Sequence, residues 1–246
     1  MESPFILEET EDFAVVFKPP RMHTASASGG IATNGDSLFD WYAAVFPPVK
    51  NICGKKEGEG GLVHRLDFET QGLVLFAKNQ KSLNHFLQQQ AEGKFIKEYT
   101  ASYQKSGGAV LPSFPPPPFE PEKNGFPQTP FFIESFFRPY GPGRKQVRPV
   151  IGTHCSADSK TRKIASDKGR PYQTEIVSVS ADGCFTARLR RGFRHQIRCH
   201  LAWVGCPVLN DPLYGHQAGG ILGLRATGLF FTEPGGGYKE FVLPKA

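Results

Sequence analysis

The chain has 246 residues, 39% of them hydrophobic and 21% charged, and carries a net charge of +6. That length is enough to bury one sizeable core, and no apolar run approaches the ~20 residues of a membrane span. Five cysteines without a C-x-x-C pair argue against a disulfide framework or a thiolate zinc site, and the acidic start "MESPFILEETED" lacks the features of a secretory signal, so a cytoplasmic chain is expected.

In chain order, "FAVVFKPP" (13–20) predicts a short apolar strand stopped by two prolines. Asp36 or Ser37 is placed to cap a helix through "LFDWYAAVF". After the glycine-rich "GEGG" (58–61), residues 62–66 and 72–77 read as two strands interrupted by "DFETQ". Asn79 caps a predicted helix "QKSLNHFLQQQ", in which Leu83, Phe86 and Leu87 recur on one face, and "KEYTASYQ" (97–104) resumes as a strand. From about 105 to 168 the periodicity dissolves into a proline-rich, then basic stretch, expected to be an irregular insertion in a single domain spanning 1–246. "YQTEIVSVS" (172–180) and "CFTARLRR" (184–191) form a predicted hairpin around "ADG". A helix through "FRHQIRCHLAWVG" follows, and "ILGLRATGLFFTEP" and "KEFVLP" close the chain as strands. Strands outnumber helices without regular alternation, which predicts an α+β fold on a mixed, largely antiparallel sheet.

The charge is unevenly placed. Residues 138–170 hold nine Lys and Arg against Asp158 and Asp167, and residues 188–198 hold five arginines and no acid. Such clustering suits a polyanionic partner, or else a solvated basic face. In "GLVHRLDFETQGLVLFAKN" (61–79), Asp67 sits between apolar segments, where a carboxylate serves either as a turn cap or, held by a cation, as a base or nucleophile. In "RRGFRHQIRCHLAWVGCPVLNDPLYG" (190–215), Arg194 and Arg198 lie one helical turn apart, as a fork for an anion would require. His195 and His200 are five apart, a poor metal spacing, so no metal site is expected. The sequence has no G-x-S-x-G elbow, G-x-G-x-x-G or Walker loop, which leaves a cofactor-free acid–base or nucleophilic site on a basic surface.

Taken together, these two stretches resemble the motifs of RluA-type pseudouridine synthases. The first is similar to H-R-L-D, two residues, then T-S-G and an apolar strand ending A-K; the second is similar to G-R-T-H-Q-I-R-x-H-L followed by G-x-P-I-x-G-D-x-x-Y-G. "KEYTA" resembles the K-x-Y strand of that family, "EETEDFAVVFKP" its amino-terminal motif, and "LRATGLFFTEP" its closing motif. The resemblance implies a pseudouridine synthase fold; with few residues ahead of Phe13, no S4-like RNA-binding domain is expected before it. It also implies a cofactor-free isomerase acting on uridine in rRNA or tRNA, and a monomer is expected. By that resemblance Asp67 is the catalytic carboxylate, Arg198 pairs with it, and Tyr99 stacks on the target base. His64, Arg65, Arg194, His195 and Ile197 form the implied substrate- and RNA-facing set. Three departures stand out: Gln71 replaces Ser, Gly192-Phe193-Arg194 replaces G-R-T, and Asn210 replaces Gly before Asp211.

Overall fold

The computed structural model describes residues 3–25, 37–103, 111, 114–152, 169–215 and 219–244. The chain divides into two compact units, one of Met1–Glu98 with Arg225–Ala246 and one of Tyr99–Leu224. The mixed sheet expected from the sequence is present: among the strand pairs described below, only one is parallel.

In the first unit, β1 (Phe5–Glu9) and β2 (Phe13–Lys18) form an antiparallel hairpin, and β2 pairs antiparallel with β3 (Gln71–Ala77) from Phe13↔Ala77 to Lys18↔Gly72. β3 meets β9 (Leu224–Thr232) in parallel at Gln71↔Arg225 and Gly72↔Ala226, and β10 (Tyr238–Val242) runs antiparallel on β9. Every residue of β2 is buried, as is every residue of β3 after Gln71, because helices cover both faces. On one side Tyr42 of α1 (Leu38–Val45) lies 4.6 Å from Phe76 between ring centroids; on the other, Phe86 of α2 (Gln80–Glu92) meets Phe13 edge-on. Two-sided burial explains why these strands read as continuous apolar runs rather than alternating ones.

Both helices start where capping chemistry predicts. The Ser37 side chain accepts from Asp40 N and that of Asn79 from Ser82 N, while Gly93 ends α2 in the left-handed conformation. Asp36, the other candidate cap, lies outside the described residues. The expected strand at 62–66 is reduced to one bridge, Leu62↔Phe76. β1 had no signal, because four of its five residues are exposed and it lacks alternation.

β4 (Ile96–Ser102) passes from the first unit into the second. The second unit contains β5 (Phe131–Tyr140), β6 (Gln146–Val150), β7 (Tyr172–Val179) and β8 (Cys184–Leu189), all antiparallel in the order β6-β5-β7-β8. The stretch expected to be irregular from 105 to 168 therefore contains an ordered hairpin, β5–β6; residues 104–110, 112–113 and 153–168 lie outside the described residues. One face of this sheet alternates into a core with α4 (Gln196–Trp203), where the His200 ring stacks on Phe137 at 5.0 Å. A four-residue helix, α3 (Pro121–Asn124), precedes β5.

Gly72 marks a tight crossing in the first unit. Its φ is 127°, and an added Cβ would lie 2.1 Å from the Ala226 carbonyl oxygen on β9. Gly72→Ala should destabilise the protein by roughly 3 kcal/mol or more through strain and overpacking, read as a lowered urea midpoint at unchanged m.

Candidate active site

Asp67 lies in the first unit, in the turn that leads into β3. Upstream, residues 61–64 follow the edge of β3: Ala77 N donates to Gly61 O at 2.7 Å and Val63 N to Leu75 O at 3.0 Å. At the next rung the partner is a side chain, because Leu75 N donates to His64 Nε2 at 3.3 Å. That bond requires a lone pair on Nε2, which places the proton of the neutral ring on Nδ1, where it is buried without a partner. Burial, reinforced by Lys97 and Lys55, holds the His64 pKa well below the ordinary imidazole value. His64 is thus a neutral ring substituting for a backbone acceptor, and it ends the ladder where the turn must begin.

The turn itself is fixed on several sides. Leu66 N donates to Thr24 Oγ1 at 3.0 Å while that hydroxyl donates to Leu66 O at 2.7 Å, and Thr70 N closes the turn onto Asp67 O at 3.1 Å. Beneath it lies Lys18, the last residue of β2, with no solvent exposure. Its ammonium donates to Pro19 O, Met22 O and Phe68 O at 2.9, 2.7 and 3.3 Å. Burial lowers its pKa to about 8, against the opposing pull of Asp67 and Glu69. A buried cation therefore pins the turn backbone beside Asp67 and Glu69. Asp67 is half-buried, within reach of solvent, while Arg65 is exposed and bonded to Glu59 at 3.2 Å.

Tyr99, Arg194, His195, Ile197 and Arg198 belong to the second unit. Tyr99 is buried on β4, and Ile197 is buried on α4. The arginine fork expected on one helical face does not form, because His195 adopts a left-handed backbone (φ 56°) and α4 begins only at Gln196. Arg194 therefore lies ahead of the helix, exposed, with Nη2 donating to Arg144 O at 2.7 Å and Gln146 O at 3.1 Å. His195 Nδ1 lies 3.2 Å from Tyr214 Oη.

Arg198 is inside the unit, at 0% exposure. Its Nε donates to Asp211 Oδ2 and its Nη2 to Asp211 Oδ1, both at 2.7 Å, a parallel two-bond fork. Asp211 is equally buried, and its Oδ1 also accepts from Leu213 N and Tyr214 N. The Tyr214 ring lies beside the guanidinium, and its hydroxyl accepts from Val147 N at 2.7 Å. Sequence reasoning named neither Lys18 nor Asp211 as a site residue. The available signals were a lysine closing an all-apolar strand and an acid in the "NDPLYG" segment, the nearest carboxylate downstream of Arg198.

The comparisons with known proteins agree with these motifs. The sequence model described as RNA pseudouridylate synthase matches residues 12–203. The chain belongs to this family. Among its relatives is an uncharacterized RNA pseudouridine synthase of Mycoplasma pneumoniae, 29% identical over 216 residues, which are 85% of this chain and 55% of the relative. Another is the ribosomal large subunit pseudouridine synthase D of Borreliella burgdorferi, 24% identical over 219 residues, 88% of this chain and 56% of the relative. The chain thus spans about half the length of these curated relatives. The human RNA pseudouridylate synthase domain containing 1 structure shares the fold, with a TM-score of 0.64 at 19% identity over 99% of this chain and 84% of that one. Within the pseudouridylate synthase family match lie Lys18, Asp67, Tyr99 and Arg198; Asp211 lies beyond its end.

Two predictions test the site's scaffolding. Asp211→Ala leaves a buried guanidinium uncompensated and should cost about 3–5 kcal/mol, whereas removing both charges with Arg198→Met/Asp211→Leu should cost less, as chemical denaturation of the three proteins will show. Acid sensitivity is the second. His64 is held neutral, and burial lowers His200 from 6.5 to about 3, so below the unfolded value the unfolded chain binds protons that the folded chain refuses. Stability present above pH 6.5 should fall with pH by up to about 1.4 kcal/mol per pH unit for each histidine, and His200→Asn should flatten the slope by that amount.

Proposed function

We propose that this chain is a catalytic module that converts uridine in structured RNA, ribosomal or transfer, to pseudouridine, with Asp67 as its catalytic carboxylate. The observation that carries the reading is the half-buried Asp67, on a turn held by Lys18 and Thr24 and within the family's matched segment.

The reaction breaks the N1–C1′ bond, turns the uracil in place, and joins C5 to C1′; C5 loses a proton and N1 gains one. The carboxylate acts on the sugar, either by adding to C1′ or by taking a proton to give a glycal. Of the second unit's residues, Tyr99 is assigned to stack on the uracil near C5, and Arg198, fixed by Asp211, is assigned as the held cation. Neither C1′ nor C5 is reachable in a stacked nucleotide, so the uridine is flipped out at a cost of a few kcal/mol, offset by stacking and by cationic contacts to the backbone. Arg65, Arg194 and His195 are candidates for those contacts. The reaction needs no cofactor, and the protein is expected to work as a cytoplasmic monomer.

Asp67→Asn preserves shape and hydrogen bonding but removes the charge. Incubated with RNA lacking the modification and assayed by nucleoside mass spectrometry, wild type should form pseudouridine. Asp67→Asn should form none above background while binding the RNA as tightly. Undiminished product from Asp67→Asn would show that another group does the chemistry.

A further inference from the structure

The turn that carries Asp67 also presents an aromatic pair. Phe68, the next residue, is 40% exposed although the backbone on either side of it is held in place. Its ring lies 4.6 Å from that of His23 between centroids, at 41° between planes, and His23 is exposed as well. Single exposed aromatics are ordinary on a protein surface. This pair differs because its two segments are fastened to each other. The Lys18 ammonium donates both to Met22 O, one residue before His23, and to Phe68 O. Thr24, one residue after His23, exchanges two hydrogen bonds with the backbone of Leu66. The His23 carbonyl accepts from Leu38 N at 2.8 Å, where α1 begins.

Rings set in place before a partner arrives lose little conformational freedom on binding it, so little of the stacking energy is offset. Two side chains of about 150–250 Å² each fall short of the roughly 800 Å² per partner of a protein interface, and they suit a single planar group. Position in the chain points to which group. The Cα atoms of Asp67 and Phe68 are about 3.8 Å apart. When a uridine is held at Asp67, a neighbouring nucleotide of the same strand therefore comes within reach of Phe68. Nucleobases stack on aromatic side chains with little regard to sequence.

We propose that Phe68 and His23 form a stacking platform for an RNA base that flanks the target uridine. The inference rests on the RNA reading above and deepens it: Tyr99 is assigned the reacting uracil, and this pair takes the neighbouring base, which loses a stacking partner when the uridine is flipped out. The platform holds the opened strand through a ring face and not through phosphate. Lys18 serves both tasks, because one ammonium fixes the turn of Asp67 and the two segments that bear the rings.

The test uses the full chain in two assays. A fluorescently labelled RNA stem-loop with a uridine-rich loop is titrated by anisotropy across a series of KCl concentrations, and pseudouridine formation on unmodified cellular RNA is followed in single turnover. Phe68→Leu keeps the apolar bulk and loses the plane. It should weaken binding, and raise the protein concentration that gives half-maximal rate, by about fivefold or more, with the maximal rate within about twofold of wild type. Its slope of log affinity against log salt should equal that of wild type, because no phosphate contact is touched. Phe68→Trp should bind at least as tightly as wild type, and His23→Leu, on the other segment, should weaken binding by about twofold or more. Wild-type affinity in both leucine variants, a lower maximal rate at unchanged affinity, or equal weakening by Phe68→Leu and Phe68→Trp with lowered urea midpoints would overturn the platform. Each of these leaves the functional reading standing as long as wild type forms pseudouridine. Wild type that forms none would remove both.

Discussion

A guanidinium with no solvent exposure must have its donors met by the protein, and that requirement organises the second unit. Arg198 is at 0% exposure, and Asp211 meets it with two parallel bonds of 2.7 Å. Asp211 is held in turn by the backbone of Leu213 and Tyr214, and Tyr214 reaches on to Val147 of β6 and to His195 at the start of α4. The pair is weak as a source of net stability, because desolvation offsets its Coulombic gain, but it fixes geometry, because breaking it leaves a buried charge uncompensated.

The first unit solves the complementary problem of presenting a carboxylate from a strand that is buried on both faces. The ladder along β3 is ended by the His64 ring, the Thr24 hydroxyl clamps the backbone of Leu66, and the Lys18 ammonium takes the Phe68 carbonyl. Asp67 is left half-buried at the top of the turn. The "HRLD" segment thus divides its work: His64 faces inward to the backbone, Arg65 is exposed and bonded to the buried Glu59, and Asp67 is half-buried.

What the sequence revealed follows from which signals are local. Apolar runs bounded by proline or caps located β2, β3, α1 and α2, and the "ADG" turn located β7 and β8, because those patterns record burial and capping within a few residues. β1 escaped notice as an exposed edge strand, and β5–β6 because prolines and arginines mask its alternation. The site was legible as motifs, not as geometry. That Arg198 would be forked onto Asp211, or that Lys18 would sit under Phe68, depends on contacts between segments distant in the chain, which no window of sequence reports. The helical face expected to join Arg194 to Arg198 was lost to a single left-handed residue, His195.

The central proposal is that Asp67 is the carboxylate that carries the reaction. Single-turnover release of tritium from RNA carrying 5-tritiated uridine reads this directly, because each pseudouridine formed frees the C5 hydrogen. Wild type should release one tritium per pseudouridine formed. Asp67→Asn should release none above background, whereas Asp67→Glu, which keeps the charge, should retain a measurable rate. Equal release by Asp67→Asn and wild type, or no tritium release by wild type, would contradict the account.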